Sequence, residues 1–547
     1  MGSNEDSHPE ISGQQAQCFD NLFWIRQHRW LSTVSEYILK EQSAMLLNII
    51  IFAFALLWTQ IHCATPEQWT QRSIYQVLTD RYARTDNNHS AKCNTTERVY
   101  CGGTYRGVIN NLDYIADMGF SAIWISPITY NIEGTTGWGE AYHGYWQQDL
   151  FKLNSHFGSV EDLKDLSDEL HRRKMYLMVD IVVNHFAWPG PANEVVYSKF
   201  ATFDSASFFH PYCIVSDYDN QTMVEQCWLG DKNVELVDVN TEDSRVVSTF
   251  QGWISSLVSN YSIDGLRIDT AKHVHKSFWP AFNKDAGVFS TGEVLSGNVD
   301  YLCDYQNYLD SLLNYAIYYP LTQTFSSTTK NMSGLISIHQ QIQKSCKSPK
   351  SLLTFASNHD QPRLAALTPS LALRKNALAY TMMSDGIPTL YQGDEQSFSG
   401  RSDPDNREAV WVSGFDKTAP LYTMIQTLNK LRSWAGRKES SYWNAMSEVV
   451  WNDSNALAMR KGQVVALLTN KGENMSLETV KVSNPGYAAS TKLMDVVACQ
   501  EAMVGQDGVL SVNMTKGEPQ VFYPLDGLSW SGICQPWLGR TDRLRLP

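Results

Sequence analysis

Several things are scarce in this 547-residue chain. No two cysteines are spaced as CxxC, so a zinc ribbon is not indicated. Positive charge is in deficit: Lys+Arg 44 against Asp+Glu 57 gives a net charge of −13, which argues against a nucleic-acid binder led by a basic surface. The apolar run Ala44–Trp58 spans about 15 residues, short of the ~20 that a membrane helix needs. There is no internal repeat and no Ser/Thr-rich linker, so no appended binding module is marked. Charged residues make up only 18% and hydrophobic residues 43%, which excludes a wholly disordered chain.

What is present is aromatic and cysteine-rich. Aromatics reach 12%, with 17 Trp and 26 Tyr, a supply that suits stacking on flat sugar faces as well as ordinary cores. At ~150 residues per domain the length suggests more than one folding unit. Of the 10 cysteines, Cys18 and Cys63 lie in or beside an N-terminal segment unlike the rest. The others fall as Cys93 and Cys101, Cys213 and Cys227, Cys303 and Cys346, Cys499 and Cys534. They read as a disulfide framework whose connectivity spacing alone leaves open. Asn-X-Ser/Thr sequons at Asn88, Asn94, Asn220, Asn260, Asn331, Asn452, Asn474 and Asn513 favour a glycoprotein on the secretory route.

Ala44–Trp58 fits a signal h-region, with Ile61-His62-Cys63 as a cleavage site before Ala64. The polar leader Met1–Ser43 is long for an n-region, so either translation begins at Met45 or the run is a signal-anchor. In the second case Arg26, Arg29 and Lys40 would lie on the cytoplasmic side. The expectation is a secreted, extracellular protein, with a signal-anchored form as the alternative.

From Ala64 onward, apolar runs alternate with amphipathic stretches. Ser73–Thr79, Ser121–Ser126, Met175–Val183, Gly265–Asp269, Val288–Glu293, Leu352–Ser357 and Ile387–Tyr391 read as strands, with another near Leu313–Leu321. Val160–Arg173 and Thr249–Ser259 read as helices between them. Near-continuous apolar strands separated by helices predict a (β/α)8 TIM barrel, an α/β fold. The stretch 185–238 breaks the rhythm and reads as a small domain inserted after strand 3. From 443 to 535, short β segments predict a C-terminal antiparallel β-sandwich. The expected division is a leader at 1–63, a barrel from 64–184 and 239–442, and a tail at 536–547.

Polar residues cap the apolar runs: Asp180, Asn184 and His185, Arg267 and Asp269, Glu293, then Asn358, His359 and Asp360. The C-terminal strand ends of a βα barrel surround its active site, so these residues should converge. Glycoside hydrolysis needs two carboxyl groups flanking the scissile bond. Asp269, Glu293 and Asp360 are the candidates. Arg267 precedes Asp269 by two residues, which puts both on one strand face and favours an ionised Asp269. A structural ion pair would produce the same pattern.

Four segments then resemble the α-amylase family, glycoside hydrolase family 13. They are Asp180-Ile-Val-Val-Asn-His185, Gly265-Leu-Arg-Ile-Asp-Thr-Ala-Lys-His273, Gly292-Glu-Val-Leu295 and Ser357-Asn-His-Asp360, in family order. Similarity runs from Ala64 to Cys534 and is greatest to secreted fungal α-amylases of the Taka-amylase type, through Ala141–Gln148 and Val258–Asp264. The resemblance implies sequential pairing: Cys93–Cys101, Cys213–Cys227, Cys303–Cys346 and Cys499–Cys534. It also implies a retaining α-1,4-glucan hydrolase with Asp269 as nucleophile and Glu293 as acid/base. Asp360 would stabilise the oxocarbenium-like transition state.

By the same resemblance, His143, Tyr145, Trp146, His185, His359, Lys272, His273, Gly297, Asp403 and Arg407 would bind substrate, and Arg267 would orient Asp269. Core packing is the competing reading for the aromatics, and a surface ion pair for Asp403 and Arg407. Ca2+ would be held by Asn184, Glu225 and Asp238 side chains and the His273 carbonyl. The expected partner is an α-glucan polysaccharide or oligosaccharide, with no nucleic acid, no membrane after signal cleavage, and a monomeric state. Ser357 departs from the family's common Glu, Gln361 from a frequent Asn, and Ser296 from the Asp of many close relatives. A 4-α-glucanotransferase shares all three carboxylates. A non-catalytic, membrane-anchored amylase-like ectodomain would have no need of them.

Overall fold

A computed structural model describes residues 64–534. The leader and signal or anchor, Cys18, Cys63 and the 536–547 tail lie outside the described residues. Eight parallel strands form the main sheet: β1 (Ile74–Val77), β2 (Ala122–Ile125), β3 (Tyr176–Ile181), β4 (Gly265–Ile268), β5 (Phe289–Gly292), β6 (Ser311–Leu312), β7 (Leu353–Thr354) and β8 (Ile387–Tyr391). Their spatial order is β6-β5-β4-β3-β2-β1-β8-β7. A parallel bridge from Leu313 to Leu353 closes the ring, and Asn314 N donates to Leu353 O at 2.9 Å. Interior side chains meet one strand face and helices cover the other, so the strands are buried almost throughout.

One expectation is corrected. Leu313–Leu321 is not a strand: β6 is the dipeptide just before it, and Tyr315–Phe325 is a helix. That helix is buried on most of its surface, so its apolar content hides the helical period. The helix Val160–Arg172 carries a clearer signature. Ser159 and Asp162 form a capping box, and Leu163, Leu166 and Leu170 make one buried stripe.

Strands His185–Trp188, Leu229–Asp231 and Val234–Asp238 make a three-stranded antiparallel sheet between β3 and β4, with Val234–Asp238 central. Past the barrel, six antiparallel strands from Glu448–Asn452 to Gln520–Pro524 form one layer, and Glu478–Val482 pairs with Leu510–Met514 as a second. Val465, Leu467, Val480, Val512 and Phe522 fill the space between the layers. The four disulfides pair as the resemblance implies, and no described cysteine is free. No helix among the described residues is long and apolar enough to cross a membrane.

Candidate active site

Strand register builds the site. Asp180 on β3 lies opposite Arg267 on β4, and Arg267 lies opposite Thr291 on β5. The ladder continues one residue past each strand: Asp269 N donates to Ile181 O at 2.9 Å and Glu293 N to Ile268 O at 2.8 Å. Both carboxylates therefore stand on the barrel rim above Arg267.

Arg267 is fully buried and is the hub. Its Nη1 donates to Asp180 Oδ1 at 3.0 Å and Asp269 Oδ1 at 2.9 Å, while its Nη2 lies 2.9 Å from Glu293 Oε2. Thr270 adds two donors: its hydroxyl to Asp269 at 3.0 Å and its N–H to Glu293 at 3.2 Å. Three carboxyl groups thus share one guanidinium. Burial and the surrounding carboxylates push the Asp269 carboxyl up, and Arg267 opposes them. Burial also pushes Asp180 up to about 6. A buried set with more carboxylates than cations favours retaining a proton among them.

Asp360 completes the group from the turn after β7. Asn358 Oδ1 accepts the Asp360 and Gln361 N–H groups at 2.9 Å each, which sets the turn. His359 Nε2 lies 3.1 Å and Arg407 Nη2 3.4 Å from the Asp360 carboxylate. Burial holds His143, His185 and His359 below the usual imidazole range, His185 at about 4, so all three are neutral at pH 7. Tyr145 N donates to His143 Nδ1 at 3.0 Å, which places the His143 proton on Nε2. Tyr145 stacks on His359 with centroids 5.3 Å apart and donates to Asp180 at 2.7 Å.

Asp269, Glu293 and Asp360 line one cleft of about 910 Å³ with His143, Tyr145, Trp146, His185 and His359. Lys272, His273, Gly297, Asp403 and Arg407 line it too. Arg407 and Asp403 are paired at 3.1 Å on the cleft wall, not on an outer surface. Arg267, expected to orient Asp269, lies beneath the carboxylates and off the cleft wall, in contact with them. Gly297 has a Tyr319 ring atom 3.1 Å from where a Cβ would stand, so a side chain there would crowd the wall.

Other residues had no role in the sequence reading. Tyr315 donates to Glu293 Oε1 at 3.2 Å and accepts from Asn358 at 2.9 Å, joining Glu293 to the Asp360 turn. Arg98 pairs with Asp403 at 2.8 Å, and Trp138 and Tyr218 line the cleft. Asp180 opens the first of the four family-like segments, but only cross-strand register reveals its bond to Arg267. Ser357 donates its hydroxyl to Asp394, a carboxylate just past β8 that also binds Arg363 at 2.9 Å.

Three of the four expected metal ligands, Asn184, Asp238 and the His273 carbonyl, meet. The Asn184 amide lies 3.0 Å from His273 O and 3.1 Å from Asp238 Oδ1. Its oxygen faces both of these acceptors, whereas a turned amide would donate to them. Glu225 instead accepts from Gln221 at 2.7 Å. Among the described residues no three His, Cys, Asp or Glu side chains converge as a metal cluster.

Known proteins resemble this chain over most of its length. An α-amylase catalytic-domain family model matches residues 76–419, and an α-amylase domain C model matches 449–539. Alpha-amylase 2 of Schwanniomyces occidentalis is 47% identical over 85% of this chain and 92% of its own. An alpha-amylase of Saccharomycopsis fibuligera is 45% identical over 84% of this chain and 92% of its own. The structure of an alpha-amylase from Malbranchea cinnamomea superposes with a TM-score of 0.85 at 49% identity, covering 86% of this chain and 100% of that one. With its carboxylates at the C-terminal rim of an eight-stranded barrel and relatives spanning barrel and β-unit alike, the chain belongs to the α-amylase family of glycoside hydrolases.

Proposed function

We propose that this protein is an α-amylase that cleaves internal α-1,4-glucosidic bonds of starch, glycogen and related α-glucans with retention of configuration. The carrying observation is that the two Nη atoms of Arg267 each lie 2.9 Å from a carboxylate, Asp269 on one and Glu293 on the other, beneath one aromatic-lined cleft. Such close carboxylates suit a retaining pair, ~5 Å apart, better than the wider arrangement that admits water between them. Glu293 protonates the leaving oxygen as Asp269 bonds the anomeric carbon. Glu293 then takes a proton from water, whose oxygen displaces Asp269. Asp360 accepts from sugar hydroxyls as positive charge develops on the ring. His143, as the Nε2–H tautomer, donates to hydroxyls, with His185 and His359 on the same ring. Tyr145 and Trp146 stack on sugar faces, while Lys272, His273, Gly297, Asp403 and Arg407 bind neighbouring units.

Asn184, Asp238 and the His273 carbonyl fit a hard cation such as Ca2+, since they offer amide, carboxylate and carbonyl oxygens from three segments, with the Asn184 amide within 3.1 Å of the other two. Glu225 would join them on giving up its bond to Gln221. Bound calcium supplies the positive charge that holds these oxygens together, tying the 185–238 insertion to the barrel. Chelation is expected to lower Tm, by about 3 kcal/mol of stability where calcium had stood near 100 times its Kd. Calorimetry before and after verified metal removal checks this. The proposed units are 64–184 with 239–442, 185–238 and 443–535. The disulfides support passage through an oxidising compartment, and the charge of −13 a neutral-glucan partner over nucleic acid.

The test is chromatography of early products from soluble starch, beside Glu293→Gln. A spread of short maltooligosaccharides that the variant does not make is expected. Products longer than a defined maltooligosaccharide donor would replace hydrolysis by transfer. No product from the folded, calcium-loaded protein would overturn the reading.

A further inference from the structure

A second cleft opens on the far face of the inserted sheet. Strand Val234–Asp238 alternates its side chains: Val234 and Leu236 pack with Ala187 and Trp146 beside the main cleft, and Glu235 points the other way. There a cleft of about 630 Å³ is walled by Asn193, Tyr212, Ile214, Asp231, Lys232 and Glu235.

Its chemistry is that of a sugar site. Tyr212 is 56% exposed, yet its ring is held edge-on against buried Trp228 at 5.2 Å, one residue from the Cys213–Cys227 bridge. A fixed, exposed ring offers a stacking face with little ordering cost. Glu235 is only 3% exposed, and its Oε2 has no hydrogen-bond partner. A buried acceptor without a donor is costly, and a ligand hydroxyl would supply one. Asn193 and Lys232 stand exposed at the rim with further donors. Two carboxylates against one lysine disfavour an anionic ligand.

The two clefts also share a wall. Trp138 lines the main cleft and donates its Nε1 to both oxygens of Asp231, at 2.9 and 3.0 Å. A chain leaving the main cleft over Trp138 meets Asp231 and the second cleft next. We propose that the second cleft is an auxiliary α-glucan site that holds a stretch of the same polymer while another stretch occupies the main cleft. This rests on the α-glucan reading of the main cleft.

Two measurements test it on the full chain. Maltoheptaose is titrated calorimetrically into Glu293→Gln protein, where two binding events are expected, and Tyr212→Ala on that background should leave one. The second is turnover by otherwise unaltered enzyme. Tyr212→Ala is expected to raise KM for soluble starch roughly five-fold, the size of one stacking contact, without changing kcat. Turnover of a chromogenic maltotrioside, too short to span both clefts, should stay as it is. Glu235→Gln, which keeps the side-chain volume, is expected to act in the same direction. A single binding event before and after the Tyr212 change overturns the proposal, as does an equal loss on starch and on the maltotrioside. A maltotrioside that the unaltered enzyme leaves intact would count against the hydrolytic reading, and the titration would still decide the second cleft.

Discussion

Two buried polar clusters lie at the ends of the barrel, and they are built on opposite plans. At the rim, Arg267 faces Asp180, Asp269 and Glu293, and negative charge exceeds positive. At the seam with the C-terminal strands, cations outnumber the acid. Arg432 donates to the carbonyls of Thr70, Gln71 and Arg72 at 2.7–3.1 Å. Asp385 accepts from Ser447 N at 2.8 Å and Gln343 at 2.6 Å, with Lys461 3.6 Å away. The seam's acceptors meet donors of this chain, whereas the rim leaves charge for a reaction to use. Unrelieved electrostatics is the usual cost of an active site.

The largest effect should come from the rim. Asp269→Asn is expected to cut turnover by at least ~10⁴-fold, while Tm holds or rises because one of three crowded carboxylates has lost its charge. Single-turnover kinetics beside calorimetry checks both halves. A fall in Tm would mean that the rim is as satisfied as the seam. Asp385→Asn should do the reverse. It leaves Lys461 buried without its counter-ion and is expected to cost about 3 kcal/mol of stability, with kcat of the folded enzyme unchanged. Denaturant titration with an activity assay reads it.

A third test lies at the rim end of the barrel, past β7 and β8, where Ser357 meets Asp394. Ser357→Glu would place a second buried carboxylate against Asp394, and a loss of about 2 kcal/mol is expected. Adding Asp394→Asn should recover the charge-dependent part. If the double variant melts no higher than Ser357→Glu, crowding and not charge sets the loss.

The smallest effect is a pH dependence at the seam. Burial lowers Lys461 to about 8 in the folded chain, below its ordinary value of 10.5. Between about pH 8 and 10 the unfolded chain therefore binds more protons at this site, so its contribution to stability grows as pH rises and is lost as pH falls through 8. The rise in Tm across that window should shrink in Lys461→Met, measured against the unaltered protein in the same buffers.

Much of the site was legible because its residues stand at the ends of apolar runs, a strictly local feature. Asp269, Glu293 and Asp360 each follow a strand that the sequence marks, so their convergence followed from the barrel alone. β6 was misplaced by a few residues, since a two-residue strand carries no period and the apolar helix after it looked more strand-like. Tyr315 was missed for a related reason. It belongs to that helix, and its bonds to Glu293 and Asn358 cross 22 and 43 residues of chain.

The sequence by itself determined the alternation of buried strands and helices, the order of polar strand ends and the supply of cysteines, because each depends on neighbours within a few residues. Tertiary structure alone decided that one guanidinium serves three carboxylates and that Tyr315 links Glu293 to the Asp360 turn. It also decided that the inserted sheet turns a second face, with Tyr212 and Glu235, away from the main cleft. These depend on cross-strand register and ring closure, which bring together residues far apart in the chain, and no local pattern encodes such distances.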